Sequence, residues 1–442
     1  MQKLFFIALL SLIGFTACQQ KSPKDFSSYI NNPTLYCKTV KQLNNVVLEN
    51  NFPPMIASRN YVYANIAAYE VVAQFDNRFQ SLAGQIKHLP ALPALDTSNV
   101  NFQLASMLAF CKVGEAVTFP EGSMQEYILQ IKHGADSAGL SSKVIKASQR
   151  LADSVGNHIL RWSKKDNYAQ LRTATKYTVT DTPGRWVPTP PMYAQAVEPH
   201  WMEMRPMVMD SASQFMPVRP PSFDVDNKSS VYYKALLEVK SIGDSLTDEQ
   251  KHIADFWDDN PFKMNVVGHV MYATKKFSPP GHWMNIVGIG AQKAGADFST
   301  TVAAYAHTAI ALYDAFISCW DEKYRSNYVR PETVINKHIS TAWQPYIQTP
   351  PFPSYTSGHA TNSACAAEVM THWFGNNLSF TDTSLLEFGI KNREIISFRQ
   401  AAKEAAMSRL YGGIHYRFDN DNGMAAGSRL GSYIVQQLHL KK

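Results

Sequence analysis

Residues 299–320 read STTVAAYAHTAIALYDAFISCW and form the heart of the most hydrophobic window in the chain. Their apolar side chains recur at spacings of three and four, the period of a helix. His307 and Asp314, with Lys293 and Asp297 just upstream, deny the window the roughly 18 uninterrupted apolar residues of a membrane span. A helix this apolar that still carries polar groups belongs inside a helical bundle.

The same periodicity predicts helices over 56–75, 101–117, 124–138 and 142–162 upstream, and over 361–374, 384–410 and 423–438 downstream. Gly412-Gly413 stops the second of the downstream helices, and Thr247-Asp-Glu-Gln250 has capping-box spacing at the head of a helix running towards Trp257. Between the halves, nine of the 24 prolines fall within residues 183–221, including Pro190-Pro191 and Pro220-Pro221. Proline removes amide donors and fixes extended geometry, so no long helix survives there. Trp186, Tyr193, Trp201, Met202 and Met204 supply too much apolar surface for a loose linker and predict an ordered crossover. The expected class is all-α. Two packed helical bundles, over 36–175 and 226–442, are joined by a Pro-rich crossover over 176–225, and strand alternation is scarce.

With 442 residues, 45% hydrophobic and 18% charged, the chain can build two such cores and is neither disordered nor fibrous. Lys and Arg outnumber Asp and Glu by 42 to 36 and are scattered, so no nucleic-acid partner is expected. Cysteines at 18, 37, 111, 319 and 365 form no CxxC or Cys/His pattern, which announces neither a zinc site nor a disulfide framework. Residues 1–17, basic at Lys3 and then apolar, read as an export signal too short to cross a bilayer. Cys18, behind Phe15-Thr16-Ala17, resembles the lipidated cysteine of a bacterial lipoprotein, with residues 18–35 as a tether. The expected location is therefore the cell envelope, the chain exported and lipid-anchored to the membrane; its oligomeric state stays open.

Three segments carry chemistry that suits one tetrahedral oxyanion: Lys323 with Arg330-Pro331, Pro353-Ser-Tyr-Thr-Ser357-Gly358-His359, and Arg409 with His415 and Asp419. Arginine forks pair with oxyanion oxygens and lysine adds a compact charge, so Lys323, Arg330 and Arg409 together neutralise two or three negative charges. Ser357 and Gly358 precede a helix whose free amides and dipole favour an anion. One histidine can attack or coordinate the central atom while the other moves a proton on the opposite side.

This three-part signature resembles that of the vanadium-dependent haloperoxidases and the type 2 phosphatidic acid phosphatases (PAP2). The match departs at Thr356, where the common pattern has proline before Ser-Gly-His. The resemblance implies that His415 is the vanadium ligand of a haloperoxidase or the phosphorylated nucleophile of a phosphatase. It implies that Lys323, Arg330, Arg409 and the backbone of Ser357 and Gly358 hold the other oxygens, that His359 is the general acid and base, and that Asp419 orients His415. Trp320, three residues before Lys323, and Phe352, in a loop similar to that of the chloroperoxidases, lean towards the haloperoxidases. That reading implies vanadate as cofactor, with hydrogen peroxide and a halide as substrates. The phosphatase alternative implies a phosphate monoester and no cofactor, and a third reading is a non-catalytic oxyanion-binding lipoprotein. Asp258 and Asp259 are candidates to pair with Arg409, while His269 and His282 fit no metal-ligand spacing and read as structural.

Overall fold

A computed structural model describes residues 26–442, so the export signal over 1–17 and Cys18 lie outside the described residues. The N-terminal half comprises α1 (Phe26–Ile30), α2 (Pro33–Glu49), α3 (Pro54–Phe75), α4 (Phe102–Ala116), α5 (Gln125–Ser137), α6 (Ser142–Ser163) and α7 (Tyr168–Leu171). After the crossover come α8 (Val231–Asp244), α9 (Asp248–Phe256), a β1–β2 hairpin (Lys263–Val267 and Val270–Thr274), α10 (Pro279–Lys293), α11 (Phe298–Ser326) and α12 (Pro331–His338). The chain then forms α13 (Gly358–Phe374), a small antiparallel pair β3–β4 (Phe380–Asp382 and Arg393–Ile395), α14 (Phe398–Tyr411) and α15 (Arg417–Gln437).

Polar caps explain where these helices begin. Asn101, Ser141, Asp297 and Ser397 each accept an amide of the first turn, and Thr247 and Gln250 form the expected capping box. Helix α11 is buried along nearly its whole length and packs against α3, α10 and α13. The two helical halves consequently share one continuous core, while a smaller core lies where α8, α12 and the crossover meet.

The crossover is ordered, and its anchor is Asp314. The carboxylate of this buried α11 residue accepts the backbone amides of Met207, Val208 and Met209 at 2.7, 2.8 and 3.1 Å. Trp186, Trp201 and Met204 are buried as expected, but Tyr193 points outwards and is 64% exposed.

Two segments depart from the sequence reading. The helix expected over 384–410 begins only at Phe398; before it lie a 3₁₀ turn over Leu386–Phe388, Gly389 in the left-handed region at φ 75°, and β4. The β1–β2 hairpin was hidden for a different reason: much of it faces solvent, so no apolar alternation marks it.

Helices α13 and α15 approach each other closely. A β-carbon on Gly427 would stand 2.1 Å from the Thr361 carbonyl oxygen, and one on Gly431 would stand 2.6 Å from that of Cys365, so only glycine allows this contact.

Candidate active site

The joint between α11 and α12 places the first two cations. Lys323 lies in the last turn of α11, the helix stops at Asn327 (φ 46°), and Arg330 is the N-cap of α12 with Pro331 at its first position. Ser357 caps α13, its hydroxyl accepting from the Ala360 amide at 3.4 Å. Arg409 lies in the last turn of α14, the chain turns through Gly412 and Gly413 (φ 76°), and His415 falls in that turn. Asp419 sits in the first turn of α15. His359, His415, Arg409, Gly358, Trp320 and Phe352 line one cavity of about 350 Å³, together with Asp258 and Asp259. Lys323 and Arg330 are fully buried close by.

The hydrogen bonds fix the state of His415. Arg330 Nη1 lies 3.0 Å from His415 Nε2, and a guanidinium can only donate, so Nε2 carries a lone pair. The ring proton is therefore on Nδ1, which donates to Asp419 Oδ2 at 2.8 Å. Asp419 Oδ2 also accepts from Ser354 Oγ at 2.6 Å, a partner no motif announced. Burial, reinforced by Arg330, Lys323 and Arg409, holds His415 well below the ordinary imidazole range, so the ring is neutral. His359 is similar: Arg409 Nη1 donates to its Nε2 at 3.2 Å, and burial together with Arg409 keeps it neutral.

None of the three cations is ion-paired, although Asp419 acts on Arg330 and Lys323, and Asp258 and Asp259 on Arg409, from farther away. Among the described residues no carboxylate comes within ion-pair distance of Lys323, Arg330 or Arg409. Lys323 Nζ donates to the carbonyls of Pro353 and Ser354 at 2.8 and 3.0 Å, and lies 4.9 Å from the Phe352 ring. Burial pushes the Lys323 ammonium down, Arg330 to about 9 and Arg409 to about 10. Arg330 Nη2 and Arg409 Nε are buried without any hydrogen-bond partner. Buried charge without an ion partner is costly, and a bound anion lowers that cost. Space is also reserved for one, because a β-carbon on Gly358 would meet only the Trp320 ring, at 3.8 Å. The donors and the open space fit a small, multiply charged oxyanion.

Two sequence expectations are corrected. The Ser357 amide donates to the Asp419 carbonyl oxygen at 3.1 Å, so Ser357 can offer an anion its hydroxyl but not its backbone; the close packing of α13 on α15 takes the amide. The expected pairing of Asp258 or Asp259 with Arg409 does not form. Arg409 Nη1 donates to the Trp257 carbonyl oxygen instead, Asp258 pairs with Lys276 Nζ at 3.5 Å, and Asp259 with His282 Nδ1 at 2.8 Å. His269 lies at the exposed tip of the hairpin, and among the described residues no group of three or more His, Cys, Asp or Glu forms a metal-chelating set.

Residues 303–441 match the family model of the VCPO second helical-bundle domain. The crystal structure of the first bacterial vanadium-dependent iodoperoxidase is 42% identical to this chain, covers 93% of it and 97% of its own length, and superposes with a TM-score of 0.87. The chain belongs to the vanadium-dependent haloperoxidases. Membership makes it an enzyme, and the fold recurs in more distant relatives. A holo bacterial vanadium-dependent chloroperoxidase is 16% identical, with 94% of this chain and 95% of that one covered and a TM-score of 0.64. An apo bacterial chloroperoxidase, also 16% identical, covers 87% of this chain and 94% of its own at a TM-score of 0.65. No curated protein matches the sequence.

Proposed function

We propose that this haloperoxidase holds vanadate at His415 and uses hydrogen peroxide to oxidise halide, iodide foremost, from a lipid-anchored position in the cell envelope. The observation that carries the cofactor assignment is the trio of buried cations without an ion-paired carboxylate, two of them with an unpartnered nitrogen, around an imidazole whose Nε2 lone pair is fixed by tautomer. Iodide is favoured by the 42% identity to the iodoperoxidase, against 16% to the chloroperoxidases. The envelope assignment rests on the signal over 1–17 and on Cys18.

When bound, vanadate acts as a Lewis acid that activates peroxide towards halide without changing its own oxidation state. His415 Nε2 would be its protein ligand, kept in direction by Asp419 and Ser354. Arg330, Arg409, Lys323, the Ser357 hydroxyl and the Gly358 amide would hold oxygens. An Arg409 N–H drawn to such an oxygen leaves His359 Nε2, and the freed lone pair can take a proton from incoming peroxide and return it. Trp320 and Phe352, with ring centroids 5.0 Å apart, wall the cavity with apolar surface and strengthen the electrostatics inside it.

The test is purified protein assayed with and without added vanadate. Peroxide-dependent iodide oxidation is expected only with vanadate, exceeding bromide and chloride oxidation, and falling at least ~10³-fold in His415→Ala. Hydrolysis of phosphate monoesters, inhibited by vanadate and without halide oxidation, would overturn the assignment. For the anchor, labelled palmitate should enter the expressed chain but not Cys18→Ala; equal labelling of both would refute it.

A further inference from the structure

Behind His359 lies a buried imidazole that the proposed reaction does not use. His282, in the first turn of α10, is completely buried, stacked on the Trp257 ring at 4.7 Å. Its Nδ1 lies 2.8 Å from Asp259 Oδ1 and its Nε2 lies 3.0 Å from Asp382 Oδ2. Carboxylates at both nitrogens require protons on both. Burial alone would lower this group, but Asp259 and Asp382 outweigh it and hold the imidazolium at about 10. Asp382 ends β3 and is fixed in turn by the Ser384 amide, which donates to its Oδ1 at 2.9 Å.

Asp259 shows what the arrangement holds in place. Its backbone is left-handed at φ 42°, a conformation that a non-glycine residue keeps only when its surroundings impose it. With Oδ1 bound to His282, its other oxygen, Oδ2, lies 3.7 Å from His359 Nε2. Four elements thus meet in a line: β3, α10, the segment after α9, and the start of α13.

We propose that His282 and Asp382 are positioning residues of the reaction, which act through Asp259 to hold a carboxylate oxygen against the imidazole of His359. The proposal rests on the haloperoxidase reading only in taking His359 as the proton carrier. His359 also feels Arg409, Lys323, His415 and the charge of His282 itself, whereas His282 faces Asp259 and Asp382.

The experiment compares wild type with His282→Gln, which keeps an amide donor but no charge, with His282→Leu, which keeps neither, and with Asp382→Asn. In protein free of vanadate and phosphate, NMR of labelled histidine should show His359 titrating at higher pH in His282→Gln, because Asp259 has lost its compensating charge. Affinity for inorganic phosphate should stay within about twofold, since the cation cradle is untouched. In vanadate-loaded enzyme, kcat should fall about tenfold in His282→Leu and less in His282→Gln, with KM for peroxide little changed and the pH profile of kcat displaced. If His282→Leu does not fold, Asp382→Asn carries the test: with one carboxylate gone, His282 should lose its proton at lower pH and the His359 titration should follow. Folded variants with an unchanged His359 titration and an unchanged pH profile, lower only in melting temperature, would reduce His282 to a structural residue. Variants that lose phosphate binding would overturn the proposal as well. A displaced His359 titration in a protein whose wild type oxidises no halide would leave the positioning intact and refute the function instead.

Discussion

Two buried arginine clusters, one in each half of the molecule, are built on opposite principles. In the N-terminal half, Arg59 Nε donates to Asp166 Oδ2 at 2.7 Å, Tyr63 donates to the same oxygen at 2.9 Å, and the Tyr168 amide donates to the other at 3.0 Å. Burial alone would lower Arg59, but Asp166 raises it. In the C-terminal half Arg330 and Arg409 are as deeply buried, lack any such carboxylate and are lowered. The first cluster is complete without a guest. The second has no ion-paired carboxylate, and that difference is the physical ground for proposing an anion there.

The largest effect should come from breaking the complete cluster. Arg59→Ala strands Asp166 as a buried unpaired carboxylate and should cost about 3–5 kcal/mol in chemical denaturation. Arg409→Met strands no bonded carboxylate, so its stability should hold or rise while phosphate and vanadate binding weaken; an equal loss in both variants would erase the distinction. The next largest effect asks whether pairing or location matters, since His282 lies in the C-terminal half but is paired like Arg59. Its folded state binds the proton more tightly than the unfolded chain, so its contribution is complete below about 6.5 and lost as pH rises through about 10. Denaturation curves should show wild type losing several kcal/mol more than His282→Gln across that range; parallel curves would contradict the assignment.

Supplying a directly paired anion should make the second cluster resemble the first. Vanadate at about 100 times its dissociation constant should stabilise wild type by about 2.7 kcal/mol, read as a rise in melting temperature that Arg409→Met shows only at higher concentration. The smallest effect serves as a reference away from both clusters. Thr247→Ala removes half of the α9 capping box and should cost about 1 kcal/mol without changing anion affinity.

What could be read from the sequence was whatever depends on local spacing. Lys323 and Arg330 flank a helix joint, Ser357 is a cap, and Arg409, His415 and Asp419 span a glycine turn, so their spacings survive as geometry. What could not be read depends on partners distant in the chain. Asp166 meets Arg59 across 107 positions, and Asp382 meets His282 across 100. Asp382 also lies in a three-residue strand beside a segment whose apolar spacing imitates a helix until Gly389 interrupts it. The use of the Ser357 amide by Asp419 was hidden for the same reason, because it follows from how α13 and α15 meet.

The glycine contact between α13 and α15 has one more consequence. One helix begins just before His359 and the other just after His415, and where Gly427 and Gly431 lie the helices meet main chain against main chain. Side chains can swap rotamers and neighbouring ones can be substituted, but a hydrogen-bonded helical backbone barely yields. The gap between the two imidazoles is thus gauged by rigid peptide groups, while the mouth of the cavity is built of replaceable side chains.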